Sequence, residues 1–490
     1  MTENIIVIGS GFSSLAAATS LATEGKKVTV LEKNSQTGGR ARQFSASGFT
    51  FDMGPSWYWM PDVFEAYFER FGKKVSDYYE LVRLDPSYQV IFQDKEFVDI
   101  PAAYNELKAL FEKYEKGSGA ELDKFLAEGE YKYRVGMDDL VHKPSQSILE
   151  FAQWKVIAGV FKLQLFSSIS KHIRKHFTHP KLIELLEFPV LFLGAKPQET
   201  PALYSLMNFA DIKLGTWYPL GGMHKIVEGM TALAKEKGVE FVLDCEVKKL
   251  EVKGGKVSKA ITTKGDFDGT HFISGADYHH TDKHLLDPQY HNYTEQYWDT
   301  RKMAPSSLLF YLGVDKKLTG LRHHNLFFDE SFDQHAIEIY DDPQWPSNPL
   351  FYVCVPSITD DSVAPEGKEN VFLLVPVAPD LKDDEETREK YYHMVMERLE
   401  SLTKQKIREH VIYKKSYAHA DFKADYHAFK GNAYGLANTL TQTAILKPNL
   451  RNKKLKNLFY TGQLTTPGPG VPPSLISGQV VAKEVLKNLV

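Results

Sequence analysis

The chain has 490 residues, 43% of them apolar and 25% charged, with a formal charge of −4. That length exceeds one ordinary hydrophobic core and predicts two domains, the composition is that of a folded protein, and the charge balance excludes a typical nucleic-acid binder with clustered Lys/Arg. The two cysteines, Cys245 and Cys354, lie far apart and outside any C-x-x-C pair, so neither a disulfide framework nor a thiolate metal site is expected and a reducing, cytoplasmic setting fits.

The first predicted element is the continuous apolar run Ile5 to Ile8, the pattern of a strand buried on both faces of a parallel sheet. Glu3 precedes it with no Lys or Arg, the wrong charge pattern for a secretory signal. Gly9, Gly11 and Ser14 come next at the spacing G-x-G-x-x-G/A, with Phe12 and Ser13 between them, and Leu15 to Ala18 begin a helical segment. The first glycine permits a tight turn, the second lets backbone approach a pyrophosphate, and the third position needs a small side chain for close packing. Phosphate is then favoured at the helix N-terminus. The next strand, Val28 to Leu31, ends at Glu32, with Lys33 beside it; an acid about twenty residues beyond the turn can bond ribose hydroxyls.

This fingerprint serves NAD and FAD alike. Downstream of it stand Gly38, Gly39 and Arg40, then Phe51 to Ser56 with Gly54, Pro55 and Ser56, a second place where backbone and a cation can approach a pyrophosphate. These two segments resemble the flavin amine oxidase and phytoene desaturase superfamily, in which FAD lies extended beneath these turns. Further on, Gly215 to Met223, a helical stretch to Lys237 and the strand Glu240 to Leu243 lead to Val247. In similar proteins this block returns the chain to the nucleotide domain, and backbone near Val247 meets the adenine. Thr270 to Ser274, then Gly275, Ala276 and Asp277, look like its next element.

The C-terminus reads as a strand from Asn457 ending at Gly462, a turn through Gln463, Gly470, Val471 and Pro472, and a helix from Ser474. Such a turn can aim backbone N–H groups at ribityl and flavin oxygens, and it resembles bacterial-type carotenoid desaturases. Gln463, Leu464 and Thr466 depart from the family pattern, and Lys447 stands where relatives commonly have arginine. Pro305 to Gly313, Leu321 to Phe328, Asp360 to Gly367, and Gly431 to Gly435 with Gln442, Thr443 and Ala444 resemble the same family.

The expected fold is therefore α/β: a discontinuous Rossmann-like FAD-binding domain from 1–70, 215–290 and 445–490, with a mixed α+β substrate domain from 71–214 and 291–444. No second G-x-G-x-x-G follows a strand, so a nicotinamide cofactor is not expected. The uncharged stretches Asn4 to Thr23 and Asn457 to Ala482 are broken by Gly, Ser and Pro, and no transmembrane helix is predicted.

From Ser147 to Pro201 the chain is apolar and aromatic, with Lys155, Lys162, Lys171, Arg174, Lys175 and Lys181 and no acid between 155 and 181. An interfacial basic helix and a core helix with a solvated edge fit equally; the resemblance favours the membrane. His172, His176 and His179 raise a metal site, but no suitably spaced carboxylate is evident and none is expected. His323 and His324 read as hydrogen-bonding fixtures.

The resemblance implies that FAD accepts a hydride from a long apolar carotenoid at the inner membrane face, with oxygen or a quinone as final acceptor. A bacterial-type phytoene desaturase is the leading expectation, and a later-step 3,4-desaturase of a hydroxylated carotenoid the near alternative. Other classes are an amine oxidase, with Trp57, Tyr58 and Trp59 offering aromatics for a cage, and a non-enzymatic lipid-binding flavoprotein. No catalytic side chain stands out.

Overall fold

A computed structural model describes residues 3–147, 150, 164, 167–439 and 441–489. The first strand, Asn4–Ile8, leads through the helix Phe12–Thr23 to a parallel neighbour, Lys27–Leu31, with Ile5 opposite Val28. These belong to a five-stranded parallel sheet in the order Leu458–Tyr460, His271–Ser274, Asn4–Ile8, Lys27–Leu31, Glu240–Val242. The apolar run Ile5 to Ile8 is buried, as an inner strand between helical layers must be. The alternation of strand and helix thus gives the α/β fold that the sequence predicts.

The first helix starts at Phe12 rather than Leu15, because Gly11 itself is the N-cap. The last helix, Val471–Leu489, likewise starts before Ser474. Pro472 and Pro473 fit its first turn, where the backbone N–H that proline lacks has no intrahelical partner. The two helices pack very closely: a Cβ on Gly478 would lie 2.0 Å from Ser13 O.

A seven-stranded sheet stands beside this unit, in the order Val411–Tyr417, Ser306–Val314, Glu369–Val377, Phe351–Cys354, His324–Phe328, Tyr88–Phe92, Phe97–Ile100. Its pairings are antiparallel except that of Tyr88–Phe92 with His324–Phe328. Every residue of Ser306–Val314 and of His324–Phe328 is buried, so these strands are covered on both faces.

Part of the basic apolar segment, including 151–163 with Lys155 and Lys162, lies outside the described residues. Its described part packs inward: Leu182, Leu186, Phe188 and Val190 belong to the core. Lys171 and Lys175 are exposed, whereas Arg174 pairs with Glu187 and Lys181 with Asp94 and Glu96. Among the described residues no helix is long and apolar enough to cross a membrane.

A dinucleotide cradle that opens into an apolar chamber

One cavity of about 460 Å³ runs between the two sheets. It is lined at one end by Gly9, Gly11, Phe12, Ser13, Glu32, Lys33, Gly39, Arg40, Gly54, Pro55, Ser56 and Val247, and by Gly462, Gln463, Gly470, Val471 and Pro472 from the C-terminus. Of the candidate residues Ser14 alone stays outside. It is fully buried against Gly275, where an added Cβ would lie 2.0 Å from Ser14 Oγ. The missing third glycine is thus accommodated by a glycine on the neighbouring strand's turn, and Ser14 is a packing residue.

Glycine shapes the cradle. Gly9 and Gly39 have φ of +85° and +57°, and a Cβ on Gly39 would lie 3.3 Å from Gly11 Cα. A side chain on Gly54 would meet Arg40 O at 2.6 Å. Glu32 is buried, and its carboxylate is held from both sides. Oε2 accepts from Ser10 N and Oγ at 2.8 and 2.6 Å, and Oε1 from Asn34 N and Nδ2 at 2.8 and 2.9 Å. These four donors fill the carboxylate's lone-pair directions, so a ribose hydroxyl would share or displace one of them.

Arg40 tests whether an anion fits. Its Nη2 donates to Asn432 O at 3.2 Å and its guanidinium lies over the Tyr426 ring, yet its buried Nε has no partner. The Gln463 amide, oriented with its oxygen inward, accepts from Nη1 and Nη2 at 3.3 and 3.1 Å. A buried guanidinium offset by no ion pair among the described residues is costly by itself, and a diphosphate at the adjacent helix N-terminus, which has no side-chain cap, would balance it. The residues present therefore fit FAD. Lys447, behind the same loop, is also buried without a partner for Nζ, and burial pulls it down to about 7.

The rest of the lining is largely apolar, with Trp57, Trp59, Met60, Phe188, Leu309, Leu326, Phe328, Phe332, Ile339, Leu350 and Leu374. His335 is an ionisable group there, and it is engaged. Its Nδ1 accepts from Leu350 N at 3.1 Å and its Nε2 lies 2.9 Å from Pro376 O; burial pushes it down to about 4. Of the three aromatics offered for an amine cage, Trp57 and Trp59 line the cavity and Tyr58 does not. Tyr58 is buried against Tyr79, their hydroxyls 2.9 Å apart, and Trp57 and Trp59 are tilted by 59°. The histidine pair His172 and His176 does gain a carboxylate, Glu128, but the Lys132 ammonium lies 3.4 Å from His172 Nε2 and opposes a cation there.

Several lining groups were not among the predicted site residues: Ser10, Asn34, His280, Asp425 and Tyr426. Ser10 and Asn34 flank motif residues and were within reach of the same pattern; Asp425 and Tyr426 come from a remote segment with no motif of its own.

The family model of flavin containing amine oxidoreductases matches residues 12–486. A carotenoid 3,4-desaturase of Haloarcula japonica is 41% identical, covering 99% of either chain. A zeta-carotene-forming phytoene desaturase of Myxococcus xanthus is 30% identical over 99% of this chain and 94% of its own. An oxidoreductase structure from Methanosarcina mazei shares the fold with a TM-score of 0.63 at 17% identity, covering 98% of this chain and all of its own. A redesigned putrescine oxidase does so at 0.64 and 12%, covering 99% of each. The chain is an FAD-dependent oxidoreductase of the flavin-containing amine oxidoreductase family, and within it belongs to the carotenoid desaturases.

Proposed function

We propose that this enzyme introduces the 3,4 double bond into a hydroxylated carotenoid, and that the glycine-rich cradle holds the FAD while the apolar chamber holds the end of the polyene. The observation carrying this reading is the continuity of the cavity from Gly11 and Arg40 to Leu309 and Phe328. The full-length relative named for 3,4-desaturation directs it to a later step rather than to phytoene, which sequence alone favoured. Desaturation of phytoene is the second reading, supported by the relative from Myxococcus xanthus.

The segments 1–70, 215–290 and 445–490 form the cofactor domain in this proposal. Glu32 holds the ribose, Arg40 and the N–H groups after Gly11 hold the diphosphate, and the turn from Gly462 to Pro472 faces the flavin. FAD supplies the two-electron acceptor. The protein excludes water and aligns an allylic carbon, since a hydrocarbon offers shape and little else to recognise. The substrate comes from a membrane surface on which the protein docks peripherally, and the electrons pass to oxygen or a quinone.

Incubation of the FAD-loaded protein with a hydroxylated carotenoid or with phytoene in liposomes, followed by absorbance and mass analysis, tests the reading. A hydroxylated product two hydrogen atoms lighter supports it. Conversion of phytoene alone favours the second reading, and conversion of neither contradicts both.

A further inference from the structure

Each new double bond removes two hydrogens from the substrate: one leaves with its electron pair as hydride to FAD, and the other leaves as a proton while its bonding pair becomes the π bond. In a water-excluding chamber that proton needs a route out. His335 does not provide one, because both its nitrogens are bonded within the fold.

A different line of polar groups starts at the cavity wall. Ser56 lines the cavity, and its Oγ lies 3.1 Å from Tyr352 Oη. Tyr352 Oη lies 2.6 Å from His324 Nδ1. The His324 ring stacks behind the wall residue Trp57, centroids 4.1 Å apart, and its buried Nε2 has no partner. A nitrogen of His324, a nitrogen of His323 and the Cys354 sulfur all lie within 4.8 Å of one another. His323 Nδ1 is 2.8 Å from Thr359 Oγ1, on a partly exposed turn. A second cavity of about 20 Å³, of a size to hold one water, is lined by Ser56, His323 and Cys354. Such a row of polar groups in a buried sheet costs stability where its atoms are left without partners, as His323 Nε2 and His324 Nε2 are.

We propose that Ser56, Tyr352 and His324 form the path by which the proton released at the new double bond leaves the cavity toward Thr359. At rest Tyr352 Oη donates to Ser56 Oγ; with both hydroxyls turned about, Ser56 Oγ receives the proton as its own passes to Tyr352 Oη, and that of Tyr352 passes to His324 Nδ1. The imidazolium then releases Nε2–H toward His323. Burial holds both imidazoles well below their ordinary range, so neither retains the proton. Burial also pushes the Cys354 thiol up to about 12, which leaves it protonated rather than a thiolate metal ligand. The proposal rests on the desaturase reading of the same cavity.

The test is anaerobic stopped-flow mixing of FAD-loaded enzyme with carotenoid in liposomes, in H₂O and D₂O, for wild type, Tyr352→Phe and Ser56→Ala. Tyr352→Phe keeps the ring and Ser56→Ala removes one oxygen. The expected result is bleaching per bound flavin slowed about a hundredfold or more in both, with the wild-type solvent isotope effect lost. In histidine-ring nitrogen NMR, the resonance that His324→Gln removes should move in Tyr352→Phe, which reports the bond apart from turnover. Wild-type rates and isotope effects in the variants would overturn the path, as would one equivalent of tightly bound metal whose retention requires His323 and His324. If Tyr352→Phe loses FAD, Ser56→Ala decides alone. Absence of bleaching in wild type with every carotenoid overturns instead the desaturase reading itself.

Discussion

Glu32→Gln isolates the contribution of the cradle's acid. The carboxylate accepts four hydrogen bonds, two from Ser10 and two from Asn34. Glutamine retains one oxygen, so one pair of donors faces an NH₂ group. A hydrogen bond to a charged group contributes about 1.5–3 kcal/mol, so loss of a pair costs about 3–6 kcal/mol where the turn stays rigid. Most of this falls equally on the free and the FAD-bound protein, because Ser10 and Asn34 bond Glu32 without any ligand. The part that reads on cofactor affinity is the bond to the ribose, about 1.5–3 kcal/mol, or roughly 10- to 150-fold in Kd. Titrating apoprotein with FAD by flavin fluorescence measures the second part, and the melting of the apoprotein measures the first. A Kd within about twofold of wild type beside a lowered melting temperature would refute the reasoning, and would leave Glu32 as a clamp on the turn that never meets the cofactor.

Gly478→Ala should force the last helix from the first, since its Cβ would lie 2.0 Å from Ser13 O; a loss of at least about 1–3 kcal/mol is expected from such overpacking, read in the apoprotein's thermal melt. Gly275→Ala should destabilise alone and be partly rescued by Ser14→Gly, because the Cβ and Ser14 Oγ compete for one space; additive effects in the double-mutant cycle would contradict the contact. Asp211 accepts from Tyr88 and Thr216, and burial pushes it up to about 7. Its folded value lies above the unfolded value near 4, so folding takes up a proton between about pH 4 and 7 and stability falls as pH rises through that window. Asp211→Asn should flatten that fall by roughly 4 kcal/mol at most; an unchanged pH profile of chemical denaturation would show that Asp211 does not titrate there.

The nucleotide end was readable because its requirements are local. Gly9, Gly11 and Glu32 lie on one strand-helix-strand unit, where spacing alone fixes geometry, and Arg40 comes eight residues later. The partners of these groups were less accessible. Arg40 meets Asn432 and Tyr426, and Ser56 meets Tyr352 across 296 residues of chain; no periodicity or motif reports such pairings, which exist only once the seven-stranded sheet is assembled. The same reason hid the role of Gly275, whose closeness to Ser14 belongs to the parallel pairing of His271–Ser274 with Asn4–Ile8. From Ser147 to Pro201 the apolar pattern suited membrane and core equally; of its described residues, Leu182, Leu186 and Phe188 pack inside the protein.

The central claim is that one cavity brings FAD and a carotenoid end together. Anaerobic mixing of stoichiometric FAD-loaded enzyme with a hydroxylated carotenoid tests it most directly, by following flavin and polyene absorbance in the same sample. The account requires the flavin band to bleach as the polyene band moves to longer wavelength, one reduced flavin for each new double bond. A bound carotenoid that leaves the flavin oxidised and its own spectrum unchanged would contradict it.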